Sequence, residues 1–291
     1  MAQWLPYCLV LLLAVAPPMT VGAPFEHNHN AATGAGKTEL FVDCLKGSLV
    51  ANATCSANQP CKTIAFAAAR FGQLQPAETS VTVWIAANAV CSEVTDVLFS
   101  NARLVTIAGR GGIAVTQFAR GGFVFTNSAV HLRDLNVSNP RNPPGSRGGS
   151  AFKLTDCSAT IVNCAVSFSD YGVSFQGAAA AGVELENCTI HHNDEGLIGS
   201  SFIGPVRILN CNFVENKGAL LVSGTLRQVV LNVSLVGTRF VGNGNALFVE
   251  GANAVSTAST VVLISRCLVA ETKLATALFI SFTNMAGPVG I

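Results

Sequence analysis

Apolar and polar residues alternate along much of this chain in short segments that recur at a nearly constant spacing. The dipeptide Asn-Cys marks three of these segments, at residues 163–164, 187–188 and 210–211, so the intervals are 24 and 23 residues. The same phase is occupied by Leu135, Thr238 and Cys267 in flanking segments, at intervals of 29, 27 and 29 residues. Five positions before this phase, three before it and two after it, each segment carries an apolar residue: Val130, Ala159, Val183, Val206, Val233, Val262; Leu132, Ile161, Leu185, Ile208, Leu235, Ile264; Val137, Val166, Ile190, Phe213, Phe240 and Val269.

Polar side chains occupy most of the positions between the first two apolar columns, namely His131, Thr160, Glu184, Arg207 and Ser234. Alternation with a period of two predicts β-strands with one buried face. A doubly wound sheet is excluded, because its crossovers need a helix and the repeat leaves no room for one. The sequence therefore predicts an all-β solenoid whose coils stack at ~4.8 Å and share one continuous core.

Several motifs resemble those of known β-helix families. Residues 213–216 (FVEN) and 240–243 (FVGN), each followed closely by Ala-Leu, resemble the Phe-x-x-Asn and Gly-Gly-Ala-Ile repeats of polymorphic outer-membrane proteins, and residues 148–152 (GGSAF) resemble the second half again. Residues 55–72 (CSANQPCKTIAFAAARFG) resemble the opening of pectinesterase-like proteins, which belong to the pectin-lyase-like class and cap their first coil with a short helix.

The resemblance covers roughly residues 40–282. It implies a right-handed, single-stranded parallel β-helix with a short N-terminal cap helix. The same fold carries lyases, hydrolases, esterases, epimerases, adhesins and inert stalks, so the resemblance implies a fold and leaves the activity open.

Three segments are predicted along the chain. Residues 1–23 have an apolar run that stops at Pro17 and is followed by small residues, which is typical of a signal peptide. Residues 24–38 are polar and rich in Gly and Ala, which predicts a flexible leader. Residues 39–291 form the β-helix domain, with a cap helix over 63–71 that ends at Gly72 in the left-handed conformation.

The C-terminal end of the domain carries a separate expectation. After the strand-like run at 277–282 the sequence offers neither a capping helix nor a polar lid. Solenoids need capped ends, so we expect either a truncated C-terminus or an end that stacks on another chain.

Composition narrows the partners and the compartment. Lys and Arg number 17 against 16 Asp and Glu, so the chain has no field that would attract nucleic acid or an anionic membrane. No later apolar run reaches the ~18–20 residues of a membrane-spanning helix, which predicts a mature chain without a transmembrane segment. We expect an extracellular protein, either secreted or held at the cell surface.

Cysteines and asparagines of the repeat suggest a stacked column. We expect Asn163, Asn187 and Asn210 to form a buried asparagine ladder, with Cys164, Cys188 and Cys211 stacked beside it as free thiols. Parallel side chains on adjacent coils oppose the dihedral angle of a disulfide. Disulfides are expected instead near the cap, among Cys44, Cys55, Cys61 and Cys91.

Four Asn-X-Ser/Thr sequons are present, at Asn52, Asn136, Asn187 and Asn232. We expect glycans at Asn52, at Asn136 because it lies in an outward column, and at Asn232 because it lies in a turn. We expect none at Asn187, because the ladder would bury its amide.

The best gathering of chemical groups lies six residues after each repeat cysteine, at Asp170, Asp194 and Lys217. Stacked coils would hold the two carboxylates ~5 Å apart, a spacing found in retaining glycosidases and suitable for calcium. The neighbouring residues that add to this group are His191, His192, Glu215 and Tyr171. The alternative interpretation is that this surface is an ordinary turn without a site. Asp170 and Asp194 would then be present because Asp is a common turn residue, and Glu215 would simply pair with His192.

We therefore favour a non-catalytic β-helix glycoprotein that presents a surface for contact with extracellular glycans or proteins. The alternative is a polysaccharide lyase or glycoside hydrolase that uses the face of Asp170 and Asp194, and a third possibility is a purely structural spacer. The Asn-Thr-Asp, Asp-Asp and Gly-His-Gly motifs of polygalacturonase-like enzymes do not occur in the sequence. No cofactor is expected, except calcium if these two carboxylates bind it.

Overall fold

A computed structural model describes residues 11–13, 37–50, 54–73, 79–87, 90–139, 149–178, 182–224, 231–252, 261–272 and 278–283. Within these residues the chain winds through three parallel sheets in a fixed order, so that each strand pairs with its equivalent in the next coil. This arrangement is the predicted parallel β-solenoid.

The strands of each sheet follow one another along the solenoid. The first sheet contains β2 (Lys37–Val42), β3 (Ser80–Ala86), β6 (Leu104–Arg110), β9 (Ala129–Arg133), β12 (Ser158–Val162), β15 (Val183–Glu186), the second half of β17 (Glu195–Leu209), β20 (Leu231–Val236) and β23 (Val261–Ser265). The second sheet contains β4 (Val90–Glu93), β7 (Ala114–Phe118), β10 (Leu135–Ser138), β13 (Ala165–Ser167), β16 (Thr189–His191), β18 (Asn212–Val214), β21 (Arg239–Val241) and β24 (Leu268–Ala270). The third sheet contains β5 (Val97–Ser100), β8 (Phe123–Thr126), β11 (Ser150–Thr155), β14 (Tyr171–Ala178), the first half of β17, β19 (Gly218–Gly224), β22 (Asn245–Ala252) and β25 (Leu278–Thr283).

The register confirms the three apolar columns predicted from the repeat, except at the C-terminal end of the third column, where Val269 is 44% exposed. In the first sheet Ala159 pairs with Val130 and Val183, and in the second sheet Val166 pairs with Val137 and Ile190. These side chains are buried, because alternate residues of a strand point to opposite faces and one face lines the interior.

Phenylalanine side chains fill the interior of the coils. Phe125 stacks on Phe99, Phe123 stacks on Phe152, and Phe213 stacks on Phe240 with 5.1 Å between ring centroids. Such stacks use the regular coil spacing, since each ring packs on the ring of the next coil.

The predicted cap helix is present as α1 (Ile64–Gly72). Thr63 caps its N-terminus by accepting a hydrogen bond from the Phe66 amide, and the buried Glu93 carboxylate accepts from the Ile64 amide at 2.6 Å. Burial raises the pKa of Glu93, against the lowering effect of its backbone hydrogen bonds. The predicted left-handed end is wrong, because Gly72 still belongs to the helix and the capping residue, Gln73, is right-handed.

The four cysteines predicted to form disulfides do so, as the pairs Cys44–Cys91 and Cys55–Cys61. The first pair ties the segment after β2 to β4, and the second closes a short loop before α1. Both pairs therefore hold the N-terminal end, where the chain direction varies from one segment to the next.

Two further features concern the N-terminal segments. The first sheet begins at Lys37, two residues inside the predicted leader. Leu11–Leu13, within the predicted signal peptide, forms a short strand (β1) that pairs antiparallel with β23. Among the described residues no helix is long and apolar enough to span a membrane.

The turn between the first and second sheets contains the Asn-Cys dipeptides. Asn163, Asn187 and Asn210 adopt the left-handed conformation, with φ between 51° and 53°, and their side chains are exposed. The prediction that they form a buried ladder is wrong, because a left-handed turn residue points its side chain into solvent and the residue after it points inward. The cysteines after them are buried and free, as predicted.

The buried asparagine ladder lies instead in the turn between the second and third sheets. It consists of Asn193, Asn216 and Asn243, which are 3%, 2% and 0% exposed. The Asn216 side-chain oxygen accepts from the amide and the side chain of Asn193, and Asn243 accepts from Asn216 in the same way, at 2.9–3.0 Å. Two of these residues are the asparagines of the Phe-x-x-Asn motifs.

Candidate functional site

The predicted polar cluster lies at the turn between the second and third sheets. The register places Asp170 and Asp194 at equivalent positions of successive coils, because the Glu195 amide bonds to the Asp170 carbonyl and the Asp194 amide to Ser169. Asp194 forms an ion pair with Lys217 at 2.5 Å, and the Asp170 carboxylate accepts from the Gly149 amide at 3.3 Å. Each carboxylate therefore has a partner of its own.

The two histidines form a hydrogen-bonded chain that ends on Glu215. His192 Nε2 lies 2.7 Å from the Glu215 carboxylate, which is the pair that the turn-surface interpretation predicts. His192 Nδ1 lies 2.9 Å from His191 Nδ1. Phe168, which is 47% exposed, packs its ring against both imidazoles. Burial, followed by the charge of His192, lowers the pKa of His191, whereas Glu215 raises it.

Glu195 is the carboxyl group that the sequence analysis missed. Burial, followed by the negative charge of Asp194, raises its pKa, and Lys217 opposes the shift. Its side chain extends over Gly218 in the next coil, where a Cβ atom would collide with the carboxylate. Its strand partner on the other side is Tyr171, so the acid lies beside a phenol that is 39% exposed.

An open groove of about 540 Å³ runs over the outer face of the third sheet, and Tyr171 is one of the residues that line it. The described residues that line it include two cations, Arg120 and Lys153, one carboxylate, Asp96, and two apolar side chains, Val124 and Ile198. The remaining lining side chains are hydroxyl or amide groups or glycines, namely Ser150, Ser174, Ser200, Gln176, Gly121 and Gly149.

The register explains why these residues line one surface. Lys153 of β11 pairs with Val124 of β8 and Ser174 of β14, and Ser174 pairs with Ile198 of β17. Side chains at paired positions project from the same face of a sheet, so successive coils build a row that crosses the strands. The sequence analysis did not identify this row, although outward positions of the third sheet could be counted from the repeat.

Metal binding has no support from the described residues. Among them no group of three or more His, Cys, Asp or Glu side chains could hold a metal ion. Calcium at Asp170 and Asp194 would have to compete with Lys217 for one carboxylate.

The sequons fall in different surroundings. Asn136 lies in an outward column of the second sheet, as predicted. It pairs with Ala165, and the column continues along the sheet through Thr189 and Asn212 to Arg239. Asn232 belongs to β20 and not to a turn, so that part of the prediction is wrong.

The two other sequons are those at Asn187 and Asn52. Asn187 is exposed, so the burial that argued against a glycan there is absent. Asn52 lies outside the described residues. Glycans at Asn52, Asn136 and Asn232 stay predictions.

Comparison with known proteins addresses the fold. No curated protein matches the sequence. A crystal structure of pectate lyase Pel9A aligns with 88% of this chain and 82% of its own, at 13% identity and a TM-score of 0.42. The family model described as a right-handed beta helix region matches residues 120–281, which is more than half of the chain. The protein therefore belongs to the right-handed β-helix family.

Proposed function

We propose that this protein is an extracellular β-helix protein that binds a glycan chain in the groove over the third sheet without cleaving it. The groove itself carries the proposal. It combines apolar side chains, Val124 and Ile198, with hydroxyl, amide and cationic groups in one open row.

This combination suits a carbohydrate. Sugar rings present apolar C–H faces edged by hydroxyl groups, so a binding surface needs apolar contact together with several hydrogen-bond donors and acceptors. Ser150 and Ser174 already form a hydrogen bond at 2.6 Å, and Tyr171 and Gln176 also line the groove. The open ends of the row would admit a chain longer than one sugar.

The disulfides are consistent with an extracellular location, since disulfides persist in oxidising compartments. The paired state of Asp170 and Asp194 favours binding over catalysis, because neither carboxylate is free of a partner.

The test is calorimetric titration of the protein with a panel of neutral and acidic oligosaccharides. We expect at least one class to bind, and Lys153→Met and Tyr171→Phe to weaken that binding by about tenfold and threefold, since each removes a polar contact. Lys46→Met removes an exposed lysine between β2 and α1 and serves as the matched control. Equal loss in Lys46→Met, or unchanged binding in Lys153→Met, would place the glycan elsewhere.

A polysaccharide hydrolase or lyase is the second candidate, because Glu195 offers a carboxyl group of raised pKa beside Asp194, which is paired with Lys217. A raised pKa suits a general acid. The same oligosaccharides should then yield new reducing or unsaturated ends after incubation, and Glu195→Gln should abolish them. Intact oligosaccharides would leave binding alone.

A further inference from the structure

Two arginines and two aromatic rings form a patch on the outer face of the first sheet, whereas the groove lies over the third sheet. Phe41 of β2 pairs with Trp84 of β3, and Trp84 pairs with Ala108 of β6, which in turn pairs with Arg133 of β9. Their neighbours in the strands, such as Leu40, Val42, Val83 and Ile85, are buried. The patch residues Phe41, Trp84, Arg110 and Arg133 therefore face outward.

Each guanidinium of this aromatic–arginine patch lies over a ring. Arg110 Cζ is 4.8 Å from the centroid of Phe41, and Arg133 Cζ is 5.3 Å from that of Trp84. Both distances are within the range of a cation–π contact. The rings fix the two long side chains, so that less conformational freedom is lost when a ligand binds.

The positive charge of the patch is not neutralised within the described part of the chain. No carboxylate there lies in ion-pair contact with Arg110 or Arg133, and Arg133 Nε is buried without a hydrogen-bond partner. By contrast Arg207, on the same sheet in a later coil, pairs with Glu184 at 3.9 Å. The guanidinium N–H groups of Arg110 and Arg133 are therefore held in place by the rings and lack an anionic acceptor among the described residues.

We propose that Arg110 and Arg133 bind the carboxylate or sulfate groups of an acidic polysaccharide. A guanidinium that stacks on a ring keeps its N–H edge available, and that edge matches the two oxygens of a carboxylate or sulfate. Trp84 and Phe41 are only partly buried, which leaves apolar surface for the sugar ring that carries the anion. This site is separate from the groove and does not depend on a glycan binding there.

The experiment measures binding of the full chain to dextran sulfate, polygalacturonate, uncharged dextran and polyglutamate over a range of NaCl concentrations. We expect both acidic polysaccharides to bind more weakly as salt rises, and dextran to show no binding at this patch. Arg110→Gln combined with Arg133→Gln should lower the affinity for both by at least about tenfold. Trp84→Leu, which removes one platform, should lower it by about threefold.

A matched variant separates the patch from general charge. Arg103→Gln removes an exposed arginine just before β6 and should change the affinity less than about twofold. A loss in Arg103→Gln equal to that in the double variant, or no loss in the double variant, overturns the proposal. Polyglutamate binding as tight as polygalacturonate would overturn the assignment to a sugar. Thermal melting within a few degrees of wild type excludes unfolding as the cause.

Discussion

Two columns of buried turn residues run along the solenoid. Both follow a left-handed residue in a tight turn, but one column consists mainly of cysteines and the other of asparagines. In the turn between the first and second sheets, the left-handed residues Asn163, Asn187 and Asn210 precede buried cysteines. In the turn between the second and third sheets, left-handed His192 and Glu215 precede buried asparagines. A tight turn places one side chain outside and the next inside, whatever their types.

The difference lies in how much hydrogen bonding each buried column supplies. A ladder asparagine bonds to the backbone amide and side chain of one coil and to carbonyl groups as well, so Asn216 takes part in five such contacts. A column cysteine donates one or two weak bonds, as Cys211 does to the Leu209 carbonyl at 3.3 Å. The asparagine column therefore satisfies the turn backbone with short bonds, whereas the cysteine column supplies longer and weaker sulfur bonds, including the one that the Cys211 sulfur accepts from the Cys188 amide at 3.4 Å.

The largest effect is expected from Asn216→Ala. The change removes the acceptor of two Asn193 donors and leaves the Ile190 carbonyl without its side-chain partner, all in a buried turn. Buried polar groups without partners cost roughly 1–3 kcal/mol each, so the free energy of unfolding should fall by about 4 kcal/mol.

Chemical denaturation followed by circular dichroism measures this loss. Asn210→Gly, at an exposed left-handed position, is the control and should change the free energy by less than about 0.5 kcal/mol. Comparable losses for both variants would contradict the distinction between the two columns.

Sequence reasoning identified the repeat phase but assigned the ladder to the wrong asparagines, for a physical reason. Both Asn163 with its equivalents and Asn193 with its equivalents recur once per coil, and asparagine is favoured both in left-handed turns and in buried ladders. Periodicity alone does not distinguish them. The position three residues after a buried apolar strand residue, as Asn216 follows Phe213, was the available signal.

The groove was harder to predict than the fold. Ser174 and Ser200 are ordinary outward residues of strands, and nothing in their spacing separates them from outward residues elsewhere. Their grouping with Arg120 and Gly149 depends on the three-dimensional course of the turns that carry those two residues, which the sequence does not state. Core columns are predictable because burial demands one class of side chain, whereas a binding surface tolerates many.

The buried thiols of the cysteine column should react more slowly than the partly buried thiol of Cys267. Hydrogen bonding to Cys188, followed by burial, raises the pKa of Cys164 and of Cys211, so the reactive thiolate is scarce at neutral pH. Cys267 in the last described coil is only partly buried. We expect iodoacetamide at pH 8 to modify Cys267 at least about a hundredfold faster than Cys164 or Cys211 in the native protein.

Peptide mapping by mass spectrometry at successive times provides the measurement. All three sites should react at similar rates in guanidinium chloride, which is the control for intrinsic reactivity. Rapid native modification of Cys211 would show that the column opens locally and is not a closed core.

A smaller effect is expected from shortening a cysteine. Cys211→Ala removes one buried atom and should lower the free energy of unfolding by about 1.5 kcal/mol, as other deletions of similar size do. Cys211→Ser should cost less, because Thr238 in the same column already holds a hydroxyl that donates to the Val236 and Ile208 carbonyls. A serine variant less stable than the alanine variant in urea denaturation would contradict the equivalence of thiol and hydroxyl in this column.

The smallest effect is expected at the exposed turn residues themselves, where only backbone conformation is at stake. Asn187 has φ of 53°, a region that alanine enters at a cost of roughly 1–2 kcal/mol and glycine enters freely. Asn187→Ala should therefore lower the free energy of unfolding by about 1 kcal/mol, and Asn187→Gly by less than half of that. Both variants remove the sequon, so unglycosylated protein is the proper reference. If Asn187→Ala proved as costly as Asn216→Ala in the same denaturation experiment, the side chain of Asn187 would be carrying ladder bonds, and the assignment of the exposed column would be wrong.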